Sequence, residues 1–361
     1  MDKQTLGIFN PQNELVKNIP VILLNKVLLP DSENVLLKDG KVIRRKMREG
    51  DLLNAEAKVQ TPDGNPIIHY HTFIKRSTGT QYLLIFTKAH IYHWNTATDA
   101  LDLKFTCSAD CDNWETVSYN DKIIATNGVD KVLVWDTTGL FVALDDTTNG
   151  IEYDTGKYLT KCKHLTTYEN YLILGYTYEN SKWYPQRMRW NDIGDETNWL
   201  TGRSASTEVG KADFIKGFGM YRGHLIVFKE TSHFKYWLVA SAYTFNGAFI
   251  SMTVGCKCSG SIVNDNKGRL YWYASDGTIK EMSVGTISQP IQTEIIDKIY
   301  QSSVDLIKSK FIDETEEVWW SIPFGNTLNN KIVTLKEDER GNRIWGQLDL
   351  AIPAFGSYRE A

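Results

Sequence analysis

Short apolar runs separated by polar turns fill most of this chain, and one arrangement recurs. A turn residue launches an apolar strand, often with a tyrosine just before the turn. Tyr119-Asn120-Asp121-Lys122-Ile123-Ile124-Ala125 is one copy. Tyr168-Glu169-Asn170-Tyr171-Leu172-Ile173-Leu174 is the next, and Tyr221-Arg222-Gly223-His224-Leu225-Ile226-Val227 the third. Asn266-Lys267-Gly268-Arg269-Leu270-Tyr271-Trp272 keeps the turn without the tyrosine. Glu314-Thr315-Glu316-Glu317-Val318-Trp319-Trp320 is a weaker copy, and Tyr82-Leu83-Leu84-Ile85-Phe86 an earlier one.

Each copy continues, after a polar turn, into another strand. Tyr82–Phe86 leads to Ala89–Trp94, Ile123–Ala125 to Lys131–Trp135, Leu225–Phe228 to Phe234–Leu238, and Leu270–Tyr273 to Thr278–Met282. Several such strands stop at a tryptophan followed by Asn or Asp, at Trp94-Asn95, Trp135-Asp136 and Trp190-Asn191. The ring closes the packed surface and the short polar residue starts the turn. Copies beginning at residues 119, 168, 221, 266 and 314 define a period near that of propeller blades. The pattern predicts an all-β chain built as a β-propeller of about five to seven blades, with little helix. A two-sheet sandwich gives similar alternation, but the regular spacing favours the propeller.

Two segments stand apart. Thr293-Glu294-Ile295-Ile296-Asp297-Lys298-Ile299-Tyr300 has helical spacing, with Thr293 as its N-cap. Residues 1–60 fit the repeat poorly and read as an N-terminal arm and first strands, with a hairpin turn at Lys38-Asp39-Gly40-Lys41-Val42. No Gly/Ser/Pro linker divides the remainder, so residues 61–361 read as one propeller domain.

Composition narrows the possibilities. The chain has 361 residues, among them 11 Trp, 18 Tyr and 14 Phe, types that pack well on sheet faces. Its net charge of −4 argues against tight DNA binding, which needs a basic surface to neutralise phosphates. Five scattered cysteines, Cys107, Cys111, Cys162, Cys256 and Cys258, read as reduced thiols rather than a disulfide framework or zinc site. The N-terminus lacks a hydrophobic signal core, and the apolar stretch 19–29 is too short to span a bilayer. Synthesis and assembly in a reducing cytoplasm are expected.

Candidate chemistry is sparse. Gly150-Ile151-Glu152-Tyr153-Asp154-Thr155-Gly156-Lys157-Tyr158 approaches a phosphate-binding loop, but has one residue too many between the glycines. Tyr158 also replaces the magnesium-binding hydroxyl, so a hairpin turn explains the segment better. His69 and His71 face one side of a strand, a geometry suited to a metal, and His90 and His93 form a second pair. Two ligands do not make a site, and satisfied histidines are the simpler reading. Acidic clusters at Asp110-Cys111-Asp112, Asp145-Asp146, Asp192 with Asp195-Glu196, and Glu314–Glu317 read as solvated turns rather than a glycosidase pair. Ser275-Asp276-Gly277-Thr278 resembles a compressed, unrepeated Asp-box. The expectation is no catalytic residue, no metal ligand and no cofactor, with binding residues unassigned.

The segment Arg187-Met188-Arg189-Trp190-Asn191-Asp192-Ile193-Gly194-Asp195-Glu196-Thr197-Asn198-Trp199 resembles the W-x-D…D…W stretch of phage tail hub and nozzle proteins. That family includes the packaged-DNA stabilisation proteins of short-tailed phages. Ile215–Lys229, Gly255-Cys256-Lys257-Cys258-Ser259-Gly260-Ser261-Ile262-Val263 and Leu270–Gly277 resemble its following strands in order. The first hundred residues carry little of the pattern, and the chain is shorter than many members.

The resemblance implies a non-enzymatic virion tail protein, assembled in the bacterial host cytoplasm and forming a ring, usually sixfold. Its partners are copies of itself, the portal-adaptor and other tail proteins. Genomic DNA passes it without sequence-specific binding, and the ring helps retain packaged DNA. A carbohydrate-binding or polysaccharide-degrading propeller of a virion is the alternative.

Overall fold

The computed structural model describes residues 61–356 apart from 211, 241–242, 284, 289–297, 338–340 and 342, together with strand residues 35–38 and 41–44. Strand accounts for 54% of the chain and helix for 3%, and six small antiparallel sheets are arranged as a six-bladed β-propeller. The blades occupy residues 67–106, 115–143, 151–208, 215–251, 263–288 and 308–348. Each blade is therefore one contiguous stretch of chain, numbered 1 to 6 below.

Leaving aside an extra leading strand in blade 3, the recurring motif is the second strand of each blade: Gln81–Thr87, Lys122–Thr126, Tyr171–Glu179, His224–Lys229, Leu270–Tyr273 and Glu317–Ile322. These strands read as continuous apolar runs because both of their faces pack against other protein. Leu84, Phe86, Ile123, Leu172, Leu225, Leu270 and Trp272 are each completely buried. Five apolar clusters join consecutive blades from 1 to 6. Buried residues of blade 1 also form a cluster of their own around Leu83, Ile85, Tyr92 and Trp94. At the junction of blade 6 with blade 1, the segment after the last strand closes the ring. Ser321 Oγ donates to the Ile352 carbonyl, Phe355 meets Trp319 edge-on at 6.4 Å, and Gly356 lies against Tyr70.

The tyrosine of the motif has a specific job. It ends the first strand of its blade, immediately before a two-residue hairpin turn. Asn120 and Asp121 (φ 48° and 56°), Glu169 and Asn170 (48° and 62°) and Arg222 and Gly223 (49° and 73°) occupy these turns in the left-handed region. Positive φ at both positions matches the twist of the flanking strands. Tyr119 Oη donates to the Asn170 carbonyl of the next blade at 2.8 Å, and Tyr168 Oη to the Gly223 carbonyl of the next at 2.8 Å. The hydroxyl thus ties blade 2 to the turn of blade 3, and blade 3 to the turn of blade 4. Tyr221 instead packs against the apolar cluster between blades 4 and 5.

Charged clamps reinforce several junctions. Lys229 of blade 4 pairs with Asp213 at 2.8 Å and also donates to the Val209 carbonyl at the end of blade 3. Arg343 of blade 6 pairs with Glu281 of blade 5 at 2.6 Å.

Blade 3 departs from the four-stranded plan. The Gly150–Tyr158 segment is the expected hairpin, and it adds an extra strand, Ile151–Asp154, paired with the start of Lys157–Tyr168. The long strands Tyr171–Glu179 and Lys182–Trp190 pair out to Glu179 opposite Lys182. Near Lys38 the expected hairpin is present as well, with Lys38 opposite Lys41. The core of the predicted 293–300 helix lies outside the described residues. At its far end Ile299 bridges Phe324 in extended fashion, so that end is not helical.

Candidate functional site

The first strands of the blades surround a central channel. A cavity of about 310 Å3 there is lined by Ile68 and His69, Glu115 and Thr116, Leu165, Phe218, and Lys308 with Ser309 from five blades, and by Ile262 immediately before blade 5. A wider recess of about 610 Å3 opens where the first strands of blades 1 to 4 end, beside Arg76, Asp121 and Glu169.

The polar groups of the channel form two connected sets. His69 Nε2 lies 2.7 Å from Thr116 Oγ1, the same hydroxyl lies 2.8 Å from His71 Nδ1, and His71 Nε2 lies 3.0 Å from Ser118 Oγ. One hydroxyl proton serves both rings, so Thr116 donates to one histidine and accepts from the other. Burial holds the His69 ring well below its ordinary pKa, with Lys308 and His71 adding to the effect. Burial likewise brings His71 down to about 4. Thr116 can donate only to a ring nitrogen that carries no proton, so the ring that receives its proton is neutral.

Glu115 anchors the second set. Its Oε1 lies 2.8 Å from His164 Nδ1, and its Oε2 accepts the Leu165 N–H at 3.0 Å. Burial alone would raise this carboxyl, but His164, Ser259 and the Leu165 amide hold it below its ordinary value. Lys308 projects from the first strand of blade 6 and donates to Asn113 Oδ1. Burial lowers its ammonium pKa, against the pull of Glu115 and Asp305.

The histidine pair expected from the sequence is therefore on one side of its strand, but engaged with hydroxyls. His90 is held by Asp63 at 2.9 Å, and His93 lies against Tyr82 and Trp135, with burial lowering its pKa. Among the described residues, no group of three or more His, Cys, Asp and Glu is placed to hold a metal ion. Cys111, Cys162, Cys256 and Cys258 are buried, and Cys107 is half-buried. All five thiols are free. Burial pushes Cys162 up to about 12 and Cys258 up to about 11.

The acidic clusters serve local architecture. Asp110 pairs with Lys88, and Glu196 with Lys122 of the preceding blade. Glu317 accepts from Trp319 Nε1 at 2.9 Å. Asp276 of the Asp-box-like turn accepts both the amide and the hydroxyl of Thr278, at 3.1 and 2.7 Å. Asp136 with Thr138 and Asp195 with Thr197 repeat that device. The carboxylate pre-forms the turn by satisfying a backbone donor two residues on. In the Arg187–Trp199 segment, Trp190 Nε1 bonds the Arg203 carbonyl at 2.9 Å and Trp199 Nε1 the Glu196 carbonyl at 2.7 Å, so both rings are structural anchors.

Sequence reading missed the outer half of blade 3. Glu179, whose side chain is fully buried, accepts from Arg187 Nη1 and Arg189 Nη2, each at 2.9 Å, and from Thr177 Oγ1 at 2.7 Å. The guanidiniums stack on Tyr184 and Tyr153 at 3.8 and 3.9 Å from the ring centroids. Elsewhere on the blade Trp183 packs edge-on against Tyr176 and tilted against Tyr178, with Lys163 over Tyr176 at 4.5 Å. The Thr177/Glu179 alternation in the sequence signals one face, but nothing local marks its arginine partners.

Among the described residues, no helix is long and apolar enough to cross a membrane. Compared with protein-family models and with curated proteins, the sequence matches none.

Proposed function

We propose that this chain is a non-enzymatic structural subunit of a bacteriophage tail, of the hub or nozzle kind. In this reading it is assembled in the host cytoplasm and resides in the virion tail. Copies of it form a sixfold ring that contacts the portal-adaptor and other tail proteins and helps retain packaged DNA. The six blades belong to one chain and are separate from the symmetry of that ring.

The observation that carries the reading is agreement of fold with resemblance. The segments that resemble tail hub proteins run in family order through the blades of a propeller, the fold the resemblance implies. Contiguous blades, tied by buried ion pairs and tyrosine hydrogen bonds, suit a rigid building block. The propeller's own cavity of about 310 Å3 has the size of a small-molecule site. Duplex DNA therefore passes through the lumen of the ring. A net charge of −4 gives the phosphates little to adhere to.

Electron cryomicroscopy of purified particles tests the proposal. The expected result is propeller-shaped density repeated around the tail axis. Tail density with no place for a six-bladed disc refutes it. The carbohydrate-binding alternative draws on Tyr176, Tyr178 and Trp183, whose rings are of the type that stacks on sugars. Saturable binding in a glycan screen, lost on Trp183→Ala, favours that alternative.

A further inference from the structure

We propose that the central channel is a binding site for a small organic monocarboxylate, whose charge is received by Lys308. Three observations lead there, and none depends on the tail assignment.

The first is an unanswered charge. Among the described residues no carboxylate lies within ion-pair distance of Lys308 Nζ, and its hydrogen-bond partner is the neutral amide oxygen of Asn113. The nearby carboxylate, Glu115, has its oxygens directed to His164 Nδ1 and the Leu165 N–H instead. Lys308 is half-buried in the channel wall, so its ammonium is partly desolvated yet open to an incoming anion. The fully buried ammonium of Lys229, by contrast, has its counter-charge built in, 2.8 Å away on Asp213.

The second is space. Lys308 lines a cavity of about 310 Å3, at the lower end of the range for small-molecule pockets. The third is the character of the walls. Phe218, Ile262 and Phe355 give an apolar side, while Lys308, His69 and Thr116 give a polar one. A carboxylate with a short hydrocarbon or aryl body matches both. Glu115 sets the charge limit, since its negative charge beside the site disfavours a dianion such as phosphate.

The test is calorimetric titration of the full chain with acetate, propionate, butyrate and benzoate, each beside its uncharged amide, and with inorganic phosphate. At least one carboxylate should bind saturably at one per chain, with its amide about tenfold weaker or worse, the value of a charge-assisted hydrogen bond. Lys308→Gln should remove the preference for acid over amide. Lys88→Gln, at a surface ion pair, should leave it intact. The acid-to-amide comparison uses the unaltered chain and so does not depend on how the variant folds. The proposal is overturned if no carboxylate binds saturably, if acid and amide bind alike, if phosphate binds more tightly than the carboxylates, or if folded Lys308→Gln binds as the wild type does.

Discussion

Replacing Asp213 by Asn probes the clamp between blades 3 and 4 most sharply. Lys229 is fully buried, and its ammonium meets Asp213 Oδ1 at 2.8 Å while donating to the Val209 carbonyl. Asp213 also accepts the Thr231 amide at 3.0 Å and its hydroxyl at 2.9 Å. Asn preserves the shape and an acceptor for Thr231 but removes the counter-charge. Stranding one member of a buried pair costs about 3–5 kcal/mol, most of it desolvation of the remaining ion. Replacing both, as Asp213→Asn with Lys229→Met, should cost less than the single change, because no charge is left behind.

The pH dependence has a definite sign. Burial pushes the Asp213 carboxyl up, but the bonds from Lys229 and Thr231 outweigh it and hold the group below its ordinary 3.8. A depressed folded pKa contributes stability that is present above the unfolded value and lost as pH falls through the folded one. The gap between wild type and Asp213→Asn should therefore be full at pH 7 and narrow below pH 3.8. Urea unfolding followed by tryptophan fluorescence measures it. A single-variant cost below about 1 kcal/mol at pH 7, or a double variant as costly as the single, refutes the reasoning.

Three further outcomes are expected. Tyr168→Phe removes the hydroxyl that reaches the Gly223 carbonyl and should cost about 0.5–1.5 kcal/mol in the same unfolding assay. Gly260→Ala places a Cβ 2.1 Å from the Ile307 carbonyl, so it should separate blades 5 and 6 and lower the melting temperature by several degrees, read by calorimetry. Stability should fall as pH drops from 6.5 towards 4, the range over which unfolded but not folded His71 takes up a proton. His71→Asn should make that decline shallower in a pH series of melting curves.

The blades were legible because their second strands are buried on both faces. That demand writes near-continuous runs such as Leu225–Phe228 and Leu270–Tyr273 into the chain at a regular interval. The turns were legible because left-handed φ selects residues such as Asn120 and Gly223. The extra strand of blade 3 was legible only as a hairpin turn, since it pairs with only the start of Lys157–Tyr168 and so adds no further copy to the period. The channel was half visible. The spacing of His69 and His71 placed both on one side of a strand, but their partners Thr116 and Ser118 belong to another blade. Lys308 reaches Asn113 from far along the sequence, and no local pattern encodes that meeting.

The central claim is that this chain is a stoichiometric part of a phage tail. Quantitative mass spectrometry of density-purified particles, counting this chain against the major capsid protein, tests it most directly. The account predicts a wash-resistant copy number that fits a sixfold ring. Finding the chain only in the soluble fraction, with none retained on particles, would contradict it.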